Sequence, residues 1–334
     1  MNRRRSLVTA ALVSAVTAGL ALAGAGGASA TSTPITQTGA VRLAGADRYA
    51  TAVKVSQRTF KAPQTNVVVA SGESWPDALA AGPFAASLDA PLLLVRKNSA
   101  PQVAIDELKR LRPSKIYLIG GPGAISDATW YKLMDQVTWE SSAERIAGRD
   151  RYATAFEVLN RMDGLGAVYV ASGATYADAL AGGAAAAVEG GALVLTPPTS
   201  LSSGAARGVG RTNHVVILGG TGAVSAGVER QIRSAAGGAT VDRADGANRY
   251  ETAAIVADAL WGSTGADAVF FASGTSFPDA LGATPAAYVN DAPVLLTRGT
   301  CTPEPTAVIE EQLAPRTGVF LGGSSVTYSG ARLC

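Results

Sequence analysis

Histidine and cysteine are nearly missing: one His and two Cys in 334 residues. That excludes zinc fingers, iron–sulfur clusters and any multi-histidine metal site. Aromatic residues make up 6% and charged residues 16%, against 47% hydrophobic. The apolar content therefore rests on small side chains, which suit close helix-to-sheet packing, and disorder is not expected. Lysine is scarce as well, with six Lys beside 22 Arg. The formal charge is +2, but Arg3, Arg4 and Arg5 supply the excess. Without them acidic residues outnumber basic ones by one, so there is no concentrated basic face for nucleic acid.

Long hydrophobic runs are missing beyond the first thirty residues. Met1–Arg5 is basic, Leu7 to Ala23 is apolar, and Ala28-Ser29-Ala30 is a small-x-small cleavage signature. Residues 1–30 read as an export signal, removed at maturation. No later stretch reaches the ~18–20 apolar residues of a spanning helix, so no membrane span is expected after cleavage. Export permits a disulfide. Cys301 and Cys334 are expected to form one and tie back the C-terminus; neither a C-x-x-C spacing nor a nearby His supports a redox or nucleophilic pair.

What the chain does contain is repetition. Arg42-Leu-Ala-Gly-Ala-Asp-Arg-Tyr-Ala-Thr-Ala52 returns as Arg145-Ile-Ala-Gly-Arg-Asp-Arg-Tyr-Ala-Thr-Ala155 and Arg243-Ala-Asp-Gly-Ala-Asn-Arg-Tyr-Glu-Thr-Ala253. A Ser-Gly-x4-Asp-Ala-Leu block starts at Ser71, Ser172 and Ser273, 101 residues apart each time. Apolar runs at 91–95, 192–196 and 293–297 follow, then Gly-Gly pairs at 120–121, 219–220 and 322–323. A repeat of that length is a domain rather than a solenoid unit. The copies fall at 41–142, 143–241 and 242–334, after a polar lead-in at 31–40. In the first copy helices are expected over 48–60, 76–88, 101–111 and 126–137. Short apolar strands are expected at 67–70, 92–95 and 116–119. The alternation implies an α/β fold, a parallel sheet covered on both faces.

These blocks, in this order and in triplicate, resemble the type 2 cell-wall-binding repeat family over essentially the whole mature chain. The resemblance implies three Rossmann-like or Toprim-like domains packed as a pseudo-threefold trimer. It also implies a secreted Gram-positive surface protein held non-covalently by an anionic wall polymer, a polysaccharide or teichoic-acid-like chain. No cofactor is expected, and oligomeric state is left open.

Asp47 and Asp150 are replaced by Asn248 in the third copy, so their shared role is helix capping rather than proton transfer. Asp77, Asp178 and Asp279 each follow Ser74, Thr175 or Ser276 by three residues, which suggests a capping box. Ser71, Ser172 and Ser273 end strands, where open parallel sheets host ligands. A serine nucleophile would need a base, and His214 occurs in one copy only. No catalytic residue and no metal ligand are therefore assigned. Arg42, Arg145, Arg243, Arg48, Arg151 and Arg249 suit phosphate or carboxylate recognition, or equally an internal ion pair. Trp75, Tyr176 and Phe277 suit sugar stacking or packing. With the three serines, these are the candidate ligand-binding residues. The alternative function is a wall-active hydrolase of the amidase type, or an accessory protein of one.

Overall fold

A computed structural model describes residues 32–137, 139–276, 278–299, 301–323, 326 and 333–334. The export segment and Phe277 lie outside the described residues. The first copy runs β1 (Gly39–Leu43), α1 (Arg48–Thr59), β2 (Asn66–Ser71), α2 (Trp75–Ser87), β3 (Leu92–Val95), α3 (Gln102–Leu111), β4 (Lys115–Ile119) and α4 (Asp127–Met134). The second runs β5 (Ser142–Ile146), α5 (Arg151–Leu159), β6 (Val168–Ser172), α6 (Ala177–Val188), β7 (Ala192–Thr196), α7 (Ser203–Val209), β8 (His214–Leu218) and α8 (Ala226–Ala235). The third runs β9 (Thr240–Ala244), α9 (Arg249–Trp261), β10 (Ala268–Ser273), α10 (Thr284–Val289), β11 (Val294–Thr297), α11 (Glu304–Leu313) and β12 (Thr317–Leu321).

The chain folds into three four-stranded parallel sheets, ordered β3-β2-β4-β5, β7-β6-β8-β9 and β11-β10-β12-β1. The central strands are continuously apolar because both faces are covered. Val67, Val68 and Val69 are at most 1% exposed, and burying each contributes roughly 1.5–3 kcal/mol.

The folded unit is offset from the sequence repeat by one strand. The opening strand of each copy completes the sheet of the copy before it: β5 pairs with β4, and β9 with β8. The opening strand of the first copy, β1, pairs with β12 of the third. The three units thus close into a ring. The sequence reading lacked these edge strands, because five residues such as Gly39–Leu43, with alternate side chains exposed, carry little apolar signal.

At the centre of the ring α2, α6 and α10 pack on one another as a pseudo-threefold. Their alanines, among them Ala81, Ala184 and Ala286, are fully buried and let the helix axes approach. The third copy departs from the expected helix here. It makes a 3-10 turn at Pro278–Ala280 before α10 begins. Gly282 stands where Ala80 and Ala181 sustain α2 and α6, and glycine costs ~1 kcal/mol in a helix interior.

Two sequence expectations are met by bonds. Asp47, Asp150 and Asn248 cap α1, α5 and α9 through backbone amides at 2.8–3.1 Å. Cys301 and Cys334 are bridged, with α-carbons 5.1 Å apart. The capping box is a correction. Ser74 makes no side-chain cap bond, and Asp77 and Asp178 turn instead toward the next copy. Their pull is across the seam, which local spacing does not encode.

Candidate functional site

The repeated blocks converge where one unit meets the next, at the carboxyl ends of the strands. The first two seams are built alike. In the first, α2 starts with Trp75 and the buried Asp77, facing Arg151 and Thr154 of α5. Burial pushes the Asp77 carboxyl up to about 6, against the opposing pull of Arg151 and a hydrogen bond from the Thr154 hydroxyl. That hydroxyl also accepts the Gly148 amide at 3.0 Å. In the second seam burial likewise raises Asp178, while Arg249 and Thr252 oppose it. Thr252 accepts the Gly246 amide at 3.2 Å. The threonine of the Arg-Tyr-x-Thr-Ala block therefore joins two copies. Its threefold recurrence was the available signal, and sequence reasoning gave it no role.

The Gly-Gly loops close over these carboxylates. Gly120, Gly219 and Gly322 have φ of +113°, +88° and +98°. A side chain on any of them would meet Asp77, Asp178 or Asp279 Oδ2 at 2.6–2.8 Å. Backbone conformation and close approach both require glycine there. The second glycine of each pair is different. Gly121 has only Ala147 Cβ nearby, at 3.8 Å, while Gly220 and Gly323 face open space, and none has positive φ. Neither the conformation nor the packing of the chain calls for glycine at these three positions. In the first seam Gly121, Gly123, Asp77, Arg149, Arg151 and Thr154 border a cleft of about 300 Å³.

The candidate residues divide into three groups. Arg42, Arg145 and Arg243 hold the loops from behind. Arg42 donates to the Gly322, Gly323 and Val326 carbonyls at 2.6–3.0 Å. Arg145 donates to Gly120 and Ile125, and Arg243 to Gly219 and Val224. Asp127 and Glu229 also pair with Arg145 and Arg243, at 3.1 and 2.9 Å. Ser71, Ser172 and Ser273 are buried, and their hydroxyls accept amides of the turn that follows. Arg151 and Arg249 lie at the seams. Arg151 stacks 5.4 Å from the Trp75 ring centre and Arg249 5.6 Å from that of Tyr176, each across a copy boundary. Both, like Arg48, also donate to the glycine carbonyl after the strand-ending serine. Trp75 and Tyr176 meet edge to face at 6.3 Å, so two seams touch.

His214 is not at the seams. Its imidazole sits at the start of β8, at the amino ends of the strands, between Glu189 and Asp242. Among the described residues no group of three or more His, Cys, Asp or Glu has an arrangement that would hold a metal ion.

Against known proteins, the sequence profile of the cell wall binding domain 2 matches three times, at residues 42–129, 145–229 and 243–330. The chain belongs to the cell wall binding domain 2 family. It is a cell-wall-binding chain of three such domains. It is 32% identical over 263 residues to the N-acetylmuramoyl-L-alanine amidase LytC of Bacillus subtilis (strain 168), covering 77% of this chain and 50% of that protein. It is 29% identical over 284 residues to the amidase enhancer of the same organism, covering 85% of this chain and 38% of that one. Among solved structures, Cwp8 from Clostridium difficile superposes with a TM-score of 0.79 at 28% identity, covering 86% of this chain and 50% of that one. Cwp6 from the same organism gives 0.77 at 26%, covering 86% and 46%. This chain spans half or less of the length of these relatives. The fold is what the two solved structures share with it.

Proposed function

We propose that the chain is an exported, non-catalytic anchor that attaches to an anionic polymer of the Gram-positive wall, with residues 1–30 as its export signal. The polymer lies in the seams between copies, against the open second glycines of the Gly-Gly loops and the Arg that border them. The observation that carries this reading is Gly121, Gly220 and Gly323. Three equivalent glycines that the fold does not need leave space beside the backbone, where a ligand could approach its amides closely. Arg48, Arg151 and Arg249, with Trp75 and Tyr176, shape the seam; Phe277, their counterpart in the sequence of the third copy, is proposed for the same role. Arg42, Arg145, Arg243, Ser71, Ser172 and Ser273 support it from behind.

The test is co-sedimentation with purified Gram-positive walls, before and after acid extraction of their secondary polymers. Binding is expected to disappear on extraction and to fall with salt, since screening at physiological ionic strength acts over ~8 Å. The triple variant Gly121→Val, Gly220→Val, Gly323→Val is expected to keep its circular dichroism spectrum and bind ~10-fold or more weakly. Binding that survives both extraction and the triple variant refutes the reading.

The amidase and amidase-enhancer relatives favour a second reading, a wall-active hydrolase or its accessory. The seam geometry speaks against it. Asp47, Asp150 and Asn248 cap helices, and Asp77 and Asp178 face arginines across copies. Release of soluble peptide from walls by the chain, abolished in His214→Ala, would establish it.

A further inference from the structure

At the amino ends of the strands, opposite the seam loops, the pseudo-symmetry breaks. In the first unit the Glu144 carboxylate sits between two cations. Lys115 Nζ lies 3.0 Å from it, and Arg161 Nε, just beyond α5, 3.1 Å. Arg161 is held in turn by Glu157 at 2.9 Å.

The second unit changes every member of this network. Counting from the repeated blocks, His214 stands for Lys115 and Asp242 for Glu144. On the helix, Ile255 stands for Glu157 and Ala259 for Arg161. Glu189 stands where the first unit has Leu88. His214 Nε2 lies 3.1 Å from Asp242, and Nδ1 lies 3.7 Å from Glu189. The Tyr169 hydroxyl donates to Glu189 at 2.5 Å. The carboxylate count stays at two, Glu189 being gained as Glu157 is lost, while the permanent cations Lys115 and Arg161 give way to one imidazole and an alanine. Ala259, at the position of Arg161, lines with Ile255, Val256 and Leu260 of α9 an open-mouthed cavity of about 420 Å³. Arg243 borders the cavity, but its guanidinium is bonded to Gly219, Val224 and Glu229.

We infer that this cavity binds a small organic cation, a guanidinium or ammonium group on a short aliphatic stem. The cation completes Asp242 as Arg161 completes Glu144, and shares the field of Glu189. The stem lies along Ile255 and Leu260. Hydrophobic contact and charge pairing act together here, as they do for a snorkelling arginine. The site is independent of the wall-binding reading and stands whether or not the seams hold a polymer.

The charged and titratable groups facing His214 are Glu189 beyond α6, Asp242 on β9 and Tyr169 on β6; α9 lines the cavity with neutral residues only. The Glu189 carboxylate first, and then Asp242, hydrogen-bonded at 3.1 Å, hold the imidazole above its ordinary pKa. A bound cation opposes that field, so binding lowers the titration midpoint of His214.

His214 is the one histidine in the sequence, so imidazole resonances of the untagged full chain report on this cavity alone. The experiment follows them by NMR during addition of n-butylguanidinium, with sodium acetate and n-butanol as controls. The expected result is a saturable shift and a lowered His214 midpoint with n-butylguanidinium alone. Ala259→Arg, which restores the first unit's arrangement, is expected to weaken the response ~10-fold or more. Glu189→Gln keeps the Tyr169 hydrogen bond, is expected to weaken the response as well, and decides the matter if Ala259→Arg does not fold. An absent or non-saturating shift, an equal shift from acetate or n-butanol, or an undiminished response in the variants overturns the inference.

Discussion

Asp77 is buried with one arginine and one threonine for company, and all three come from repeated blocks. Its carboxyl titrates at about 6, above its ordinary value. The native state therefore holds a proton that the unfolded chain has already released between pH 4 and 6. Over that interval Asp77 makes the protein less stable as pH rises, the reverse of the usual salt-bridged carboxylate. A shift of this size corresponds to roughly 3 kcal/mol. Urea unfolding of wild type and Asp77→Asn from pH 4 to 7 is expected to show the wild type losing about that much relative to the variant. A difference that stays flat with pH would show Asp77 to be an ordinary ionised partner of Arg151. Legibility at this scale followed the range of the bond. Asp47, Asp150 and Asn248 reach amides two or three residues on, and their spacing announced it. Asp77 and Asp178 also sit three residues after a serine or threonine, and the same logic misread them. Their partners lie more than seventy residues away, in another copy.

Helices and buried strands were legible because their periodicity comes from burial, and burial is uniform across a sheet with both faces covered. The exceptions were edges and centres. β1, β5 and β9 are five-residue edge strands with partly exposed faces, so nothing in their composition separates them from a loop. At the centre, Gly82, Gly183 and Thr284 occupy one equivalent position on α2, α6 and α10. A methyl group on Gly82 would meet Thr284 Cβ and Oγ1 at 2.8 Å; one on Gly183 would come within 3.5 Å of that hydroxyl. The axis has room for one side chain among three helices, and the third copy supplies it. Gly82→Ala is expected to destabilise the fold by roughly 1–3 kcal/mol through overpacking. Adding Thr284→Gly should restore much of the loss, and thermal unfolding of the two variants compares them. Equal instability of single and double variants would place the strain elsewhere.

At the scale of the whole molecule, the ring couples the two ends of the chain. Val41 and Leu43 of β1 are buried, yet the sheet they serve belongs to the third copy. Val41→Asp is therefore expected to act at a distance in sequence. Amides of β12 should exchange about ten- to a hundredfold faster, equivalent to ~1.5–3 kcal/mol of local stability. Those of β2, only some two dozen residues downstream, should change little. Uniform acceleration of all three sheets would instead mean that the ring unfolds as one cooperative body.

The partnership of β1 with β12 also sets an order of events. A polypeptide emerges from its amino end, so β1 must wait for β12, made after every other strand of the three sheets. The first two sheets can each close once the next copy has begun. The third cannot close until β12 has followed all the other strands described, and only then is the circle fastened.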